Sequence, residues 1–168
     1  MRVEAGSFIG GVLVVDEKGI PVDFFYTDPI KPDKLQFIIY GDSLANYLKV
    51  DVMSRKLVGM PKEKPAVWFT DDEEILQGTD KLGVGIALIR STNLPTLESV
   101  GSVKQDKEDE LLVQAVELLP PLDIRFKGIS AEEIASLIVG LSKTMDILEP
   151  FSRLKEALLW IYKNHMNS

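Results

Sequence analysis

The chain has 168 residues, 45% hydrophobic and 27% charged, the proportions of an ordinary globular domain. It contains no cysteine, which excludes a disulfide framework, a thiolate nucleophile, a cysteine-ligated zinc and an iron–sulfur cluster. With 26 acidic against 19 basic residues the net charge is −7, the wrong sign for binding phosphates by counterion release, so neither nucleic acid nor an anionic membrane surface is an expected partner.

The longest apolar runs, such as residues 157–162, fall far short of the roughly 20 residues that a membrane span requires. Residues 1–5 lack a charged-then-apolar signal pattern, and the expected location is the cytoplasm. Asn and Gln number four each and His one, a scarcity compatible with a thermophilic source.

In chain order, residues 7–15 and 20–27 flank Asp16-Glu-Lys-Gly19 and predict a β-hairpin, with Gly19 taking the positive φ that a short hairpin loop needs. Gly10 and Gly11 inside the first strand imply a bulge or a close backbone approach, the alternative being a ligand's contact with the backbone. Pro32 suits the first position of a helix over residues 33–48, carrying Leu35, Ile38, Ile39, Ala45 and Leu48 on one side. Residues 49–53 continue that helix or form a short strand, and Gly59-Met-Pro61 ends the element.

Residues 66–69 read as a short buried strand running into Asp71-Asp-Glu-Glu74, where Thr70 with Glu73, or Asp71 with Glu74, fits a capping box. Residues 83–90 form a strand with a glycine-rich entrance. Residues 91–110 are polar and aperiodic, a long loop or mobile linker. It would separate an N-terminal lobe 1–90 from a C-terminal lobe 111–168 within one domain spanning 1–168. Residues 111–119 and 122–126 are strand candidates on either side of Pro120-Pro121. Two helices close the chain, with Ser130/Glu133 and Asp146/Glu149 as capping boxes and apolar residues three or four apart. The expected fold is α+β: a mostly antiparallel sheet of about five strands opening with a β-hairpin, one central helix and two C-terminal helices.

Few residues carry chemistry. Tyr40-Gly-Asp-Ser-Leu-Ala45, after the apolar Phe37-Ile-Ile39, resembles the nucleophile block of the GDSL esterases and lipases. That resemblance implies a strand leading into the block, Ser43 as the acylated nucleophile, and a late Asp-x-x-His as catalytic base. This chain departs from the pattern: three residues before His165, the single histidine, stands Tyr162, and Gly78-Thr-Asp80 puts a carboxylate where the oxyanion block needs a neutral donor.

Asp71 and Asp72 are candidate ligands for Mg²⁺ or Ca²⁺, although the run lacks EF-hand spacing and also suits capping and solvation. Gly83 and Gly85 are candidate ligand-binding residues, but they precede a strand, whereas phosphate cradles follow one and open a helix. Leu158, Trp160 and Ile161 widen the apolar face of the last helix and are candidates for an interface with a second copy. No motif calls for a cofactor. The expected function is a non-catalytic binding or assembly module, a homodimer with a protein partner; the alternatives are a hydrolase using Ser43 and a small-molecule or metal-binding domain.

Overall fold

A computed structural model describes residues 6–166 of the chain. Residues 1–5, on which the absence of a signal pattern was read, lie outside the described residues. Strand β1 (Gly11–Val15) pairs antiparallel with β2 (Pro21–Tyr26) as a separate two-stranded sheet. The turn is built as its residues dictate. Asp16 Oδ1 accepts from the Lys18 and Ile20 N–H groups at 2.9 Å each, and Gly19 sits at φ +75°.

The two glycines at the start of β1 are close-approach positions on opposite faces. A Cβ on Gly10 would lie 3.1 Å from Leu57 Cδ1 and 3.2 Å from Met53 Cβ. A Cβ on Gly11 would lie 2.7 Å from Leu158 Cδ2 and 3.1 Å from Leu154 Cδ1. Two elements therefore press on β1 where it has no side chains.

The predicted helix over 33–48 is broken. Asp33, not Pro32, opens α1 (Lys34–Tyr40) through a reciprocal capping box with Gln36, and Gly41 at φ +53° ends it. The chain resumes as α2 (Ser43–Asn46), widens into a π-helical segment (Tyr47–Ser54) and finishes as α3 (Arg55–Val58). Leu44, Leu48 and Met53 go inward beside Phe8, whereas α1 buries no residue. Helical spacing predicted a core-facing stripe through Leu35, Ile38 and Ile39. The break at Gly41 frees α1 from the register of the following helix and leaves that stripe in solvent.

The main sheet has five strands in the order β3 (Trp68–Thr70), β4 (Ile86–Ser91), β7 (Leu122–Lys127), β6 (Glu110–Val113), β5 (Val103–Lys107). The fold is α+β, and the sheet is mixed. The β3–β4 pair is parallel because α4 (Glu73–Gln77) and α5 (Thr79–Leu82) carry the chain back between them, whereas the other pairs are antiparallel. Strand β5 lies inside the segment whose polarity suggested a loop. An edge strand needs no apolar face, and its charged residues shield the open edge.

Strand β6 stops at Val113 rather than continuing to 119; the backbone of the next residue, buried Gln114, still bonds to Gly101 and Ser102, while its side chain gathers the flanking loops. Its Oε1 accepts from Leu97 N at 2.8 Å, and its Nε2 donates to the carbonyls of Val116 and Leu119 at 2.6 and 2.7 Å.

Helix α6 (Ala131–Leu141) begins with the Ser130/Glu133 capping box and covers one sheet face, packing Ile134 and Ile138 on Ile89, Leu111, Ile124 and Phe126. On the other face Ile86 and Leu88 meet Val50, Leu76 and Leu82. Helix α7 (Glu149–Met166) packs on the hairpin, burying Leu158 and Tyr162 with Ile9. Asp146 does not form the predicted box: its Oδ1 accepts from Leu148 N at 2.9 Å, and Glu149 turns to Arg153.

A Cβ on Gly78, between α4 and α5, would meet Val50 Cγ1 and lie 2.8 Å from Val50 Cγ2. The stiff, fully buried Val50 cannot yield cheaply. Gly78→Ala is therefore expected to destabilise the fold by about 1–3 kcal/mol, read as a lowered denaturation midpoint with unchanged slope.

Candidate functional site

The hairpin and the main sheet do not join; a cleft separates them. Two adjoining cavities, of about 480 and 430 Å³, occupy it and share Gly11, Val12, Trp68, Phe69, Phe151 and Leu154 as walls. One bank is β1 and the other is β3 with the residues before it, while α7 contributes Phe151 and Leu154. The cavity near the start of β1 meets the end of β3 and Asp71–Glu73; the one near the end of β1 meets residues 65–67. The two banks therefore run in opposite directions.

Contacts at both ends hold the hairpin in this position. At the base, the segments around Met53 and Leu158 close on Gly10 and Gly11. At the tip, Thr144 Oγ1 donates to the Glu17 carbonyl, and Arg153 Nη2 donates to the Gly19 carbonyl at 2.7 Å.

The carboxylate run at the cleft's rim is matched with cations. Asp71 lies 2.5 Å from Lys155 Nζ; Asp72 Oδ2 and Glu74 Oε2 each lie 2.7 Å from Lys49 Nζ. Asp72 also caps α4, accepting from Glu74 N at 3.0 Å. Glu73 takes a two-pronged contact from Arg125 and a longer one, 3.3 Å, from Arg90. Neither predicted capping box forms, because Asp72 is the cap and Glu73 turns to the arginines.

These pairings set protonation. Desolvation lowers the Lys49 ammonium, but Asp72 and Glu74 outweigh it and hold the pKa above the ordinary lysine range. Desolvation works to raise the Glu73 carboxyl, yet the Gln77 hydrogen bond and the two arginines bring it below the usual range. Asp71 and Asp72 pair with lysines, and Asp72 caps a helix; among the described residues no group of three or more His, Asp or Glu side chains is arranged to hold a metal ion.

Of the other sequence candidates, Leu158 lines the cavity at the start of β1, and Ser43, Gly83, Gly85, Trp160 and Ile161 line neither cavity. Ser43 is exposed at the start of α2, its hydroxyl donating to the Tyr40 carbonyl at 2.6 Å, and the segment leading to it is helix α1, not the strand that the GDSL block implies. Gly83 ends α5 in the left-handed conformation. Gly85 makes room for backbone: a Cβ there would lie 2.8 Å from the Gly128 carbonyl oxygen. Of the helix candidates, Leu158 is buried in its own chain, Ile161 packs partly beside it, and Trp160 is 69% exposed.

Periodicity concealed one surface. Leu35, Ile38 and Ile39 of α1 are 62, 68 and 69% exposed, with Phe37 and the stacked Tyr40 and Tyr47 beside them in the sequence. Among the described residues no helix is long and apolar enough to cross a membrane.

One titratable group stands out on the sheet. Asp123 on β7 has a buried Oδ1 without a hydrogen-bond partner; desolvation, and then Glu110, raise its pKa against the pull of Arg125, Arg90 and Lys107. A carboxyl raised on folding imposes no cost while both states are protonated, and a growing one as pH rises through the unfolded value toward the folded one. Asp123→Asn should therefore raise the melting temperature at pH 7 and lose that gain below about pH 3. A gain that persists unchanged at low pH would assign the effect to packing.

No protein-family model, curated protein or solved structure matches this chain.

Proposed function

We propose that the chain is a cytoplasmic, non-catalytic binding or assembly module that works as a homodimer. The observation that carries this reading is α1, a helix that buries none of its residues yet presents Leu35, Ile38 and Ile39 to solvent. A contiguous exposed apolar patch on a folded chain marks an interaction surface. Charge favours this face for self-association: each copy carries −7, and residues 35–40 carry no charge, so two copies can meet there with little local repulsion. The hydrolase reading gains nothing from Ser43, whose hydroxyl is engaged by the Tyr40 carbonyl.

Sedimentation equilibrium at micromolar concentrations is expected to give twice the chain mass. The double substitution Ile38→Glu and Ile39→Glu should give the single mass with a melting temperature close to that of the isolated wild-type chain, because α1 contributes nothing to the core. A wild-type monomer throughout that range, or a dimer indifferent to both glutamates, would refute the reading.

A further inference from the structure

We propose that the cleft between β1 and β3 accepts an extended polypeptide segment of a partner protein, which adds as a strand to both banks and joins hairpin and main sheet. The occupant has apolar side chains flanked by lysine or arginine.

The cleft faces strand edges. A cavity over one face of a strand meets alternate residues, because successive side chains point to opposite faces. Here consecutive residues line it, Gly11 through Glu17 on one bank and Pro65 through Phe69 on the other. Each bank is paired on one side only, β1 with β2 and β3 with β4.

Hydrogen-bond phase follows from the same pairing. Thr27 N donates to the Gly10 carbonyl, so alternation along β1 turns the N–H and C=O of Gly11 and Leu13 away from β2. Trp68 N donates to the Gly85 carbonyl, so the backbone of Phe69 turns away from β4. A polypeptide backbone supplies donors and acceptors on both its edges at the required spacing. The five residues of β1 offer about 16 Å of bank, enough for four or five residues of a guest. The contacts at both ends of the hairpin fix the bank before binding, which reduces the ordering cost.

Charge selects the occupant. Asp16 and Glu17 line one end of the cleft and have no cationic partner among the described residues, while nearby Arg153 is paired with Glu149 at 2.7 Å. At the other end Asp71, Asp72 and Glu73 are matched by Lys155, Lys49, Arg125 and Arg90. The uncompensated acid of the rim is Asp16 and Glu17, which attract a basic flank and disfavour a second copy carrying −7.

The test is titration of an acetylated, amidated peptide, Lys-Val-Thr-Val-Ile-Val-Thr-Lys, and of a mixture varying its apolar positions among Val, Ile, Leu and Phe. Trp68, which lines both cavities, is the fluorescence reporter in a Trp160→Phe background. A saturable Trp68 shift at about 1–100 µM is expected. N-methylation at alternate peptide residues, in either phase, should weaken binding by at least about tenfold, and glutamate in place of the flanking lysines by at least about threefold. Leu13→Pro, which removes an N–H turned toward the cleft, should lose the same affinity as N-methylation; the methylated peptides carry the test should this variant not fold. The α1 double variant should bind normally, since this site does not depend on self-association there.

Equal binding of methylated and unmethylated peptides would overturn strand addition, and equal binding of glutamate-flanked peptide would overturn the basic occupant. No response to peptide or mixture up to about 1 mM would remove the site. A Trp68 shift that follows protein concentration without peptide would assign the cleft to a second copy.

Discussion

The arrangement of the molecule depends on how closely two elements approach β1 at Gly10 and Gly11. Met53 and Leu57 press on one face and Leu154 and Leu158 on the other, so that a side chain on either glycine would force its neighbours to shift. The hairpin is thus gripped between the π-helical region and α7, while its tip is tied to Thr144 and Arg153. Those contacts hold β1 beside the main sheet without pairing it there. The opening between the two sheets is a consequence of where the helices clamp the hairpin.

Electrostatics completes the rim of that opening. Carboxylates as dense as residues 71–74 repel one another unless cations interleave with them, and Lys49, Lys155, Arg90 and Arg125 arrive from four different elements. The partly shielded Lys49 contacts are worth more than exposed pairs, which solvent screens. The central strand β7 shows the same logic: Ile124 and Phe126 face α6, whereas Arg125 and Lys127 reach Glu73 and Gln77 of α4. Asp123, on the same strand, carries the cost of a poorly satisfied carboxylate.

Legibility in the sequence followed the range of the interaction. The hairpin turn is written in Asp16 and Gly19, because a side chain four residues from its target needs no tertiary help. The start of α6 is written in Ser130 and Glu133 for the same reason. The region from Leu35 to Leu48 was misread because an apolar stripe states that a face is unlike water, not what covers it. Gly41 divided the stripe into a buried part and an exposed one. Strand β5 escaped notice because an edge strand's ladder bonds are indifferent to side-chain polarity, and beyond β6 the Gln114 side chain holds the turn at Val116 and Leu119 against Leu97.

The candidate site was less legible still. Gly83 and Gly85, candidates for ligand binding in the sequence, stand at a helix end and against the Gly128 backbone. Asp71 and Asp72 stand at the cleft as charges that neighbours neutralise, and the glycine pair read as a close approach became one of its walls. Local order alone determined the α+β class, the hairpin turn and the C-terminal helices, since these rest on periodicity and on hydrogen bonds spanning a few residues. Only the tertiary structure decided that α1 would stand in solvent and that β1 and β3 would face one another unpaired, because both depend on contacts between residues far apart in the chain.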